Sequence, residues 1–336
     1  LVMIDTNPAF TLPKGAGFDE AMKKIKTVLS VQAMPNESDE YAKYILPGHH
    51  YLESWGDEQP ASGFWSIRQP VTRPMTNSRQ AEDILLWTAA AMQKPMGYKD
   101  YYDYLLKQWA IVHKGAKENK LSFDLFMKSI QRQGFYGNLI SKPLFVSSDA
   151  SAGVKLKPVS SGLRLLCSLD TRLSDGRGAN FPVLQEVTDS MTSISWDSWL
   201  AIHPETAKNL NLAIYDEVSV EAEGGESFRV AVYPMPGLHP NSVVVPRGNG
   251  HTLKLNRVSK NIGVNPLVAF AKPVLDTWTG IPVTSNAAVM LNKTGNRKGI
   301  APQQKPSSDI GSRSDVIKKV LRNEATESVQ KRVDLD

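Results

Sequence analysis

The sequence predicts an α/β plus β chain: a partial doubly wound parallel sheet with a helical insert, followed by a closed β-barrel. Three observations predict this. Between Leu1 and Tyr44 short apolar strands alternate with amphipathic helical stretches, the rhythm of a parallel sheet that offers ligands the carboxyl ends of its strands. Helical periodicity dominates from Ser78 to Gln133. From Leu163 onward short strands, one short helix and a glycine hairpin follow closely, which suits a barrel that leaves no open edge. The expected division is 1–97, partial α/β domain; 98–160, helical insert and linker; 161–291, barrel; 292–336, polar tail.

Leu1–Asp5 reads as a buried strand running into the Thr6-Asn7-Pro8 turn. Phe18–Ile25 is amphipathic, with Asp19 and Glu20 at its positive end. Thr27–Ala33 is a second strand, and Asn36 opens a helix through Tyr44. Ile45–Pro74 is rich in Pro, Gly and aromatics and reads as a long functional loop. Ser78 is placed to cap a helix through Met92. Tyr98–His113 and Ser122–Gln133 are two more helices, the first with an aromatic stripe of Tyr101, Tyr102, Tyr104 and Trp109 for core or interface packing. Gly134–Ser161 reads as a polar linker.

In the second half, Leu163–Leu169 is a β-rich run and Trp196–Ile202 alternates as a half-buried strand. His203-Pro204-Glu205 starts a helix that buries Ala207, Leu210 and Leu212. Glu217–Ala222 and Phe228–Tyr233 flank the hairpin turn Glu223-Gly224-Gly225-Glu226. Ser242–Pro246 and Val283–Leu291 are the remaining strands, and Ser314–Asn323 suggests a short basic helix in the tail. The sequence shows no internal repeat.

Composition excludes several classes. Hydrophobic content of 41% and charge of 22% are those of a globular protein. No run is apolar enough to span a bilayer. A net charge of +5, spread along the chain, gives no nucleic-acid footprint. The single cysteine, Cys167, excludes an internal disulfide and any cluster ligated by this chain alone; within an apolar strand it reads as a buried structural thiol.

Several separated stretches carry a family resemblance. DGRGANFPVLQE, WDSW, HPETAKNL and GNGHT, with Leu46–Leu86 upstream, resemble the molybdopterin oxidoreductase superfamily. The nearest branch is the molybdopterin-like iron–sulfur large subunit of alternative complex III, a quinol-oxidising respiratory assembly. The resemblance covers about Val2–Met92 and Leu163–Pro266. It implies that the first domain is Rossmann-like. The barrel is then of the double-psi, dinucleotide-binding type, and the chain is the C-terminal part of a longer polypeptide. Iron–sulfur clusters and an export signal are then expected in other parts of that polypeptide. The partners are the rest of the polypeptide and other respiratory subunits, on the periplasmic or exported face of a bacterial membrane.

The candidate site residues follow. Asn7 ends the first strand and offers both donor and acceptor to a guanine or ribose, against the alternative of a plain Asn-Pro turn. Glu53, in the loop after Leu46-Pro47, is the polar candidate for the cofactor wall that the resemblance implies. Its neighbours His49 and His50 diverge on the backbone and read as hydrogen-bonded imidazoles of a packed loop. Asp175, Arg177 and Asn180 sit in a glycine-rich loop that allows close backbone approach, and Arg177 is a phosphate fork. Asn249, His251 and Thr252 end another strand and line the same side. No nucleophile–base pair is visible. Three readings stay open: a scaffold and docking segment of an electron-transfer subunit that holds no cofactor by itself, a catalytic relative binding molybdopterin guanine dinucleotide, and a free-standing interaction module.

Overall fold

A computed structural model describes residues 1–116, 120–138, 162–271 and 274–302. The chain divides into two compact units, Leu1–Ser160 with Leu253–Asn256, and Ser161–Thr252 with Arg257–Asp336.

The first unit opens with three parallel strands, β1 (Val2–Ile4), β2 (Leu29–Gln32) and β3 (Tyr44–Pro47), with β2 in the centre. Two short helices, α1 (Pro8–Thr11) and α2 (Phe18–Met22), separate β1 from β2. β2 buries Ser30, Val31 and Gln32, whereas β1 buries only Met3. The expected buried first strand is therefore an edge strand, with Val2 and Ile4 exposed. The helix expected through Tyr44 is a single 3-10 stretch, Glu37–Tyr41. Asn36 and Asp39 close a capping box at its start, and the chain turns back at once into β3.

The expected loop from Ile45 contains a hairpin, β4 (Gly56–Ala61) and β5 (Phe64–Arg68), which gains a third strand, β6 (Phe135–Gly137). Gly63, at φ 79°, makes the turn. Pro60 falls at a register irregularity on the edge strand β4, where its missing N–H costs no ladder bond. Then come α3 (Ala81–Ala91), α4 (Tyr101–Gly115) and α5 (Phe123–Gln133). Ser78 does not cap α3; Gln80 takes that position and uses its amide on the backbone of Trp55. Asp100 caps α4 and Ser122 caps α5. Trp109 and Leu105 of α4 pack with Phe126, Met127 and Ile130 of α5 and with Ile67 of β5. Of the aromatic stripe, Trp109 is buried and Tyr102 lies against Trp55, centroids 4.4 Å apart. The rest of the expected linker, 139–161, lies outside the described residues.

The second unit is built on a closed barrel. Its strands are β7 (Leu163–Leu169), β9 (Trp199–Ile202), β10 (Asp216–Ala222), β11 (Phe228–Pro234), β12 (Ser242–Arg247) and β13 (Ser285–Arg297). They close in the order β10-β11-β9-β12-β7-β13. β7/β12 and β9/β11 are parallel pairs; the other four are antiparallel. Alternation sends Val218 and Val220, Val230 and Val232, and Val243 and Val245 into one core with Leu165, Leu200 and Ile202. α6 (Pro182–Glu186), α7 (Pro204–Asn209) and a small ladder of β8 (Ile194–Ser195) with β14 (Ala301–Pro302) complete the unit.

Four expectations shift here. The strand expected from Trp196 begins at Trp199, because Trp196 takes a left-handed φ of 57°. α7 buries Ala207, with Leu212 just past its end buried too, but Leu210 stays exposed. β13 runs six residues past Leu291, to Arg297, although its second half looks like polar tail. There Lys293 reaches back to the buried Asp216 at 2.6 Å, so polar residues continue the ladder. The fourth shift is a repeated turn. Asp189–Ile194 and Asp276–Ile281 make the same bonds: the Asp side chain accepts from the backbone N–H groups two and three residues on and from a Thr hydroxyl. The expected tail helix, Ser314–Asn323, lies outside the described residues. Cys167 packs against the barrel core, and burial pushes its thiol up to about 12. Among the described residues no helix is long and apolar enough to cross a membrane.

Candidate functional site

In the first unit the candidate residues lie near the carboxyl ends of β1–β3. Asn7 follows β1. Its Nδ2 donates to Glu37 Oε2 at 2.8 Å, and its Oδ1 accepts from the backbone N–H and hydroxyl of Ser38 at 3.2 and 3.0 Å. Both ends of the amide are thus spent on the 3-10 stretch. Glu53 accepts from the N–H of Met75 at 2.9 Å and of His50 at 3.1 Å. These two bonds hold its carboxyl below the usual range. His50 accepts from Leu52 N–H through Nδ1, which puts any ring proton of the neutral form on Nε2. His49 departs from expectation: both its ring nitrogens are buried without a hydrogen-bond partner, as is the hydroxyl of Ser78. Gly48 pairs with Arg79, so His49 and Ser78 belong to neighbouring extended segments.

In the second unit the candidates gather at one end of the barrel. β7 and β12 run parallel and end together, with Leu169 beside Arg247. β9 and β13 run the opposite way and start at that end. The loops after β7 and β12 and before β9 and β13 therefore share it. Here His251 Nε2 lies 3.2 Å from Gly176 O, tying the β12 loop to the Asp175–Asn180 loop. Asn249 accepts from Gln185 Nε2 at 2.9 Å and donates to Asp197 O at 3.1 Å. Asn180 accepts from Val258 N–H at 3.1 Å. Asn249 and His251 are buried; Thr252 is exposed. Arg177 is 72% exposed and grips Asp175 through Nε at 2.9 Å and a second nitrogen at 2.8 Å. That fork, set against partial burial, holds the Asp175 carboxyl below its usual value.

Sequence reasoning missed the residues that fasten this end. Gln185 is fully buried and donates to both Ala179 O and Asn249. Ser198 bonds the N–H of Val264 at 3.0 Å. Asp170 and Arg172 form a buried pair at 2.6 Å whose guanidinium also holds the carbonyls of Val187 and Ile194. Gly250 carries the β12 loop past Val264–Asn265 with no room for a side chain. The Gly-Asn-Gly and Gly-Val-Asn-Pro strings were the available signal; a lone Gln in a short helix gives none.

A dinucleotide needs side-chain donors and acceptors with capacity to spare, converging on one place. The side chains of Asn7, Glu53, Asp175, Arg177, Asn180, Asn249 and His251 direct theirs to their own chain. They do not fit the role of an open cofactor cradle. Among the described residues no group of three or more His, Cys, Asp or Glu is placed to hold a metal ion. Because the Arg177 side chain is largely exposed, Arg177→Ala should change unfolding free energy by less than about 1 kcal/mol. A chemical denaturation curve checks this, and a larger loss would make Arg177 part of the fold's support.

No family model matches the chain. It is similar to the molybdopterin-binding-like subunit of menaquinone reductase from Nitratidesulfovibrio vulgaris: 24% identical over 302 residues, covering 87% of this chain and 41% of that protein. The molybdopterin-containing subunit of thiosulfate reductase from Salmonella typhimurium is 23% identical over 337 residues, covering 87% and 43%. Among solved structures, acetylene hydratase from Pelobacter acetylenicus superposes with a TM-score of 0.62 at 14% identity, over 87% of this chain and 44% of that one, a likeness of fold. The chain thus spans about two-fifths of the length of the curated relatives, over their C-terminal part. Closed barrel, parallel sheet and sequence similarity together make the chain a relative of molybdopterin-binding oxidoreductase subunits.

Proposed function

We propose that the chain is the C-terminal segment of a respiratory subunit of the alternative complex III type, serving as scaffold and partner-docking surface in a quinol-oxidising complex. The observation that carries this reading is the internal commitment of the candidate side chains. Where a cofactor-binding relative would keep donors and acceptors for its ligand, the barrel end spends them tying loops together. The barrel is then of the double-psi type, which its two parallel pairs support. Iron–sulfur clusters sit in other parts of the assembly, since one cysteine cannot hold one. The location is the exported face of the membrane.

Surface chemistry supports the docking half of the proposal. Beyond Glu82 and Asp83 of its first turn, α3 is apolar except for Thr88, yet none of its residues is buried, and Leu85 and Trp87 are exposed. Apolar helix surface of that kind is ordinarily packed against another element. A parallel sheet is ordinarily covered on both faces, whereas Val2, Ile4, Tyr44 and Ile45 are exposed.

One observation favours a second reading, a catalytic relative that binds molybdopterin guanine dinucleotide. The orphaned ring of His49 and the hydroxyl of Ser78 are polar groups that a ligand would satisfy. Molybdenum and pterin analysis of the protein purified from its native host separates the two. The scaffold reading expects neither in stoichiometric amount.

A further inference from the structure

The last residue of β12 places a guanidinium in the mouth of the barrel. Val243, Val245 and Arg247 alternate onto one face of that strand, and the two valines are fully buried in the barrel core. On the paired strand β7, Cys167 stands beside Val245 and Leu169 beside Arg247. The Cys167 thiol reports the same placement: burial raises it, and the positive charge of Arg247 pulls the other way. Past Arg247 the chain turns at Gly248, φ 126°. A Cβ there would lie 3.0 Å from Leu173 Cβ and 3.4 Å from Ser174 O. The loop after β7 therefore packs against the backbone that carries the guanidinium.

Arg247 is half-buried, and its Nε is buried without a hydrogen-bond partner. Among the described residues no carboxylate pairs with it. Asp170, next to Leu169, is spent on Arg172. Two other arginines of this unit show what Arg247 lacks. Arg172 grips its aspartate through Nε and Nη2 at 3.0 and 2.6 Å, and Arg177 does so at 2.9 and 2.8 Å. A guanidinium drawn part-way out of water and left unpaired is unfavourable. Its planar fork matches a carboxylate or a phosphate, and partial burial strengthens that attraction. Leu169, paired with Arg247, is 55% exposed, so solvent reaches the mouth beside the fork. The same leucine offers apolar surface to the body of an organic anion.

We propose that Arg247 anchors an oxyanion site in the barrel mouth, taking the carboxylate or phosphate group of a small organic anion beside Leu169. The site does not depend on the scaffold reading, since a subunit without a pterin can still hold a small anion. Thermal unfolding of the whole chain in sodium phosphate or sodium acetate, against sodium chloride at equal ionic strength, tests it. At least one of the two anions should raise Tm by about 3 °C over chloride, saturating with concentration. A response to phosphate alone assigns a phosphate ligand, and a response to acetate alone a carboxylate. Arg247→Met keeps an apolar stem without the charge. It should melt no lower than the parent in chloride and lose most of the anion response. Arg247→Lys keeps the charge without the fork and should retain less than about half of the response. This second variant keeps the test valid if the first misfolds. No saturable rise with either anion would overturn the proposal. A rise that either variant keeps in full would also overturn it, marking an adventitious ion only.

Discussion

Gly250→Ala should unfold the barrel at a markedly lower temperature than the parent chain. Gly250 sits at φ +95°, a region that side-chain-bearing residues avoid. A Cβ there would lie 2.2 Å from Asn265 N and 2.4 Å from the carbonyl carbon of Val264. Both are backbone atoms, so no side chain can swing away. The same residue donates its N–H to Ile262 O at 2.7 Å, and its neighbour His251 pairs with Lys260. The β12 loop and the 260–265 segment therefore cross at Gly250, and a methyl group would force them apart. Strained φ and backbone overlap together should cost on the order of 3 kcal/mol or more. For a unit of this size that corresponds to a fall of roughly 6–12 °C in Tm. Near-UV circular dichroism during heating would show it, and a fall below about 2 °C would mean that the crossing is loose.

Arg172→Ala should be comparably damaging, and its effect should depend on pH. Asp170 and Arg172 are 4% and 5% exposed at their side chains and meet at 2.6 Å. Asp170 also accepts from the backbone N–H groups of Arg172 and Leu173. Burial alone would raise the Asp170 carboxyl; the Arg172 fork and these backbone bonds outweigh it and hold the group below its usual value. Removing Arg172 leaves a buried carboxylate without its ion-pair partner and takes the guanidinium donor from the Val187 and Ile194 carbonyls, of which Ile194 keeps the N–H of Asp189, at a cost of about 3–5 kcal/mol near neutral pH. A depressed folded pKa contributes stability above the unfolded value, about 3.9, and that contribution is lost as pH falls through the folded value. The gap between parent and variant should therefore be wide at pH 7 and narrow at pH 3. Urea unfolding at both values checks this. A gap that is constant with pH would place the cost in lost packing instead.

How much could be read from the chain depended on whether a residue's pattern repeats locally. The barrel strands were legible because Val218 and Val220, Val230 and Val232, and Val243 and Val245 alternate, and because Gly224-Gly225 marks their turn. β4 and β5 were not, since Pro60 and a run of charges hide a hairpin that aromatic packing from α4 and α5 supports. The polar half of β13 was hidden for a related reason: its ladder to β10 and the reach of Lys293 to Asp216 are long-range facts. At the barrel end, the glycines and Asn249 lie in loops that the structure brings together. What they do there could not be read, because Gln185, Asp197 and Gly176 come from distant stretches. His49 reversed expectation outright, with an unpartnered ring where a satisfied one was expected.

This barrel and sheet keep the fold of molybdopterin-binding proteins, while candidate side chains such as Asn7, Glu53, Asn249 and His251 bond within the chain. Molybdenum quantified by mass spectrometry against protein amount, on material purified in its native assembly, tests that most directly. Molybdenum should lie far below one atom per chain, with no pterin released on denaturation. One molybdenum and one dinucleotide per chain would contradict it.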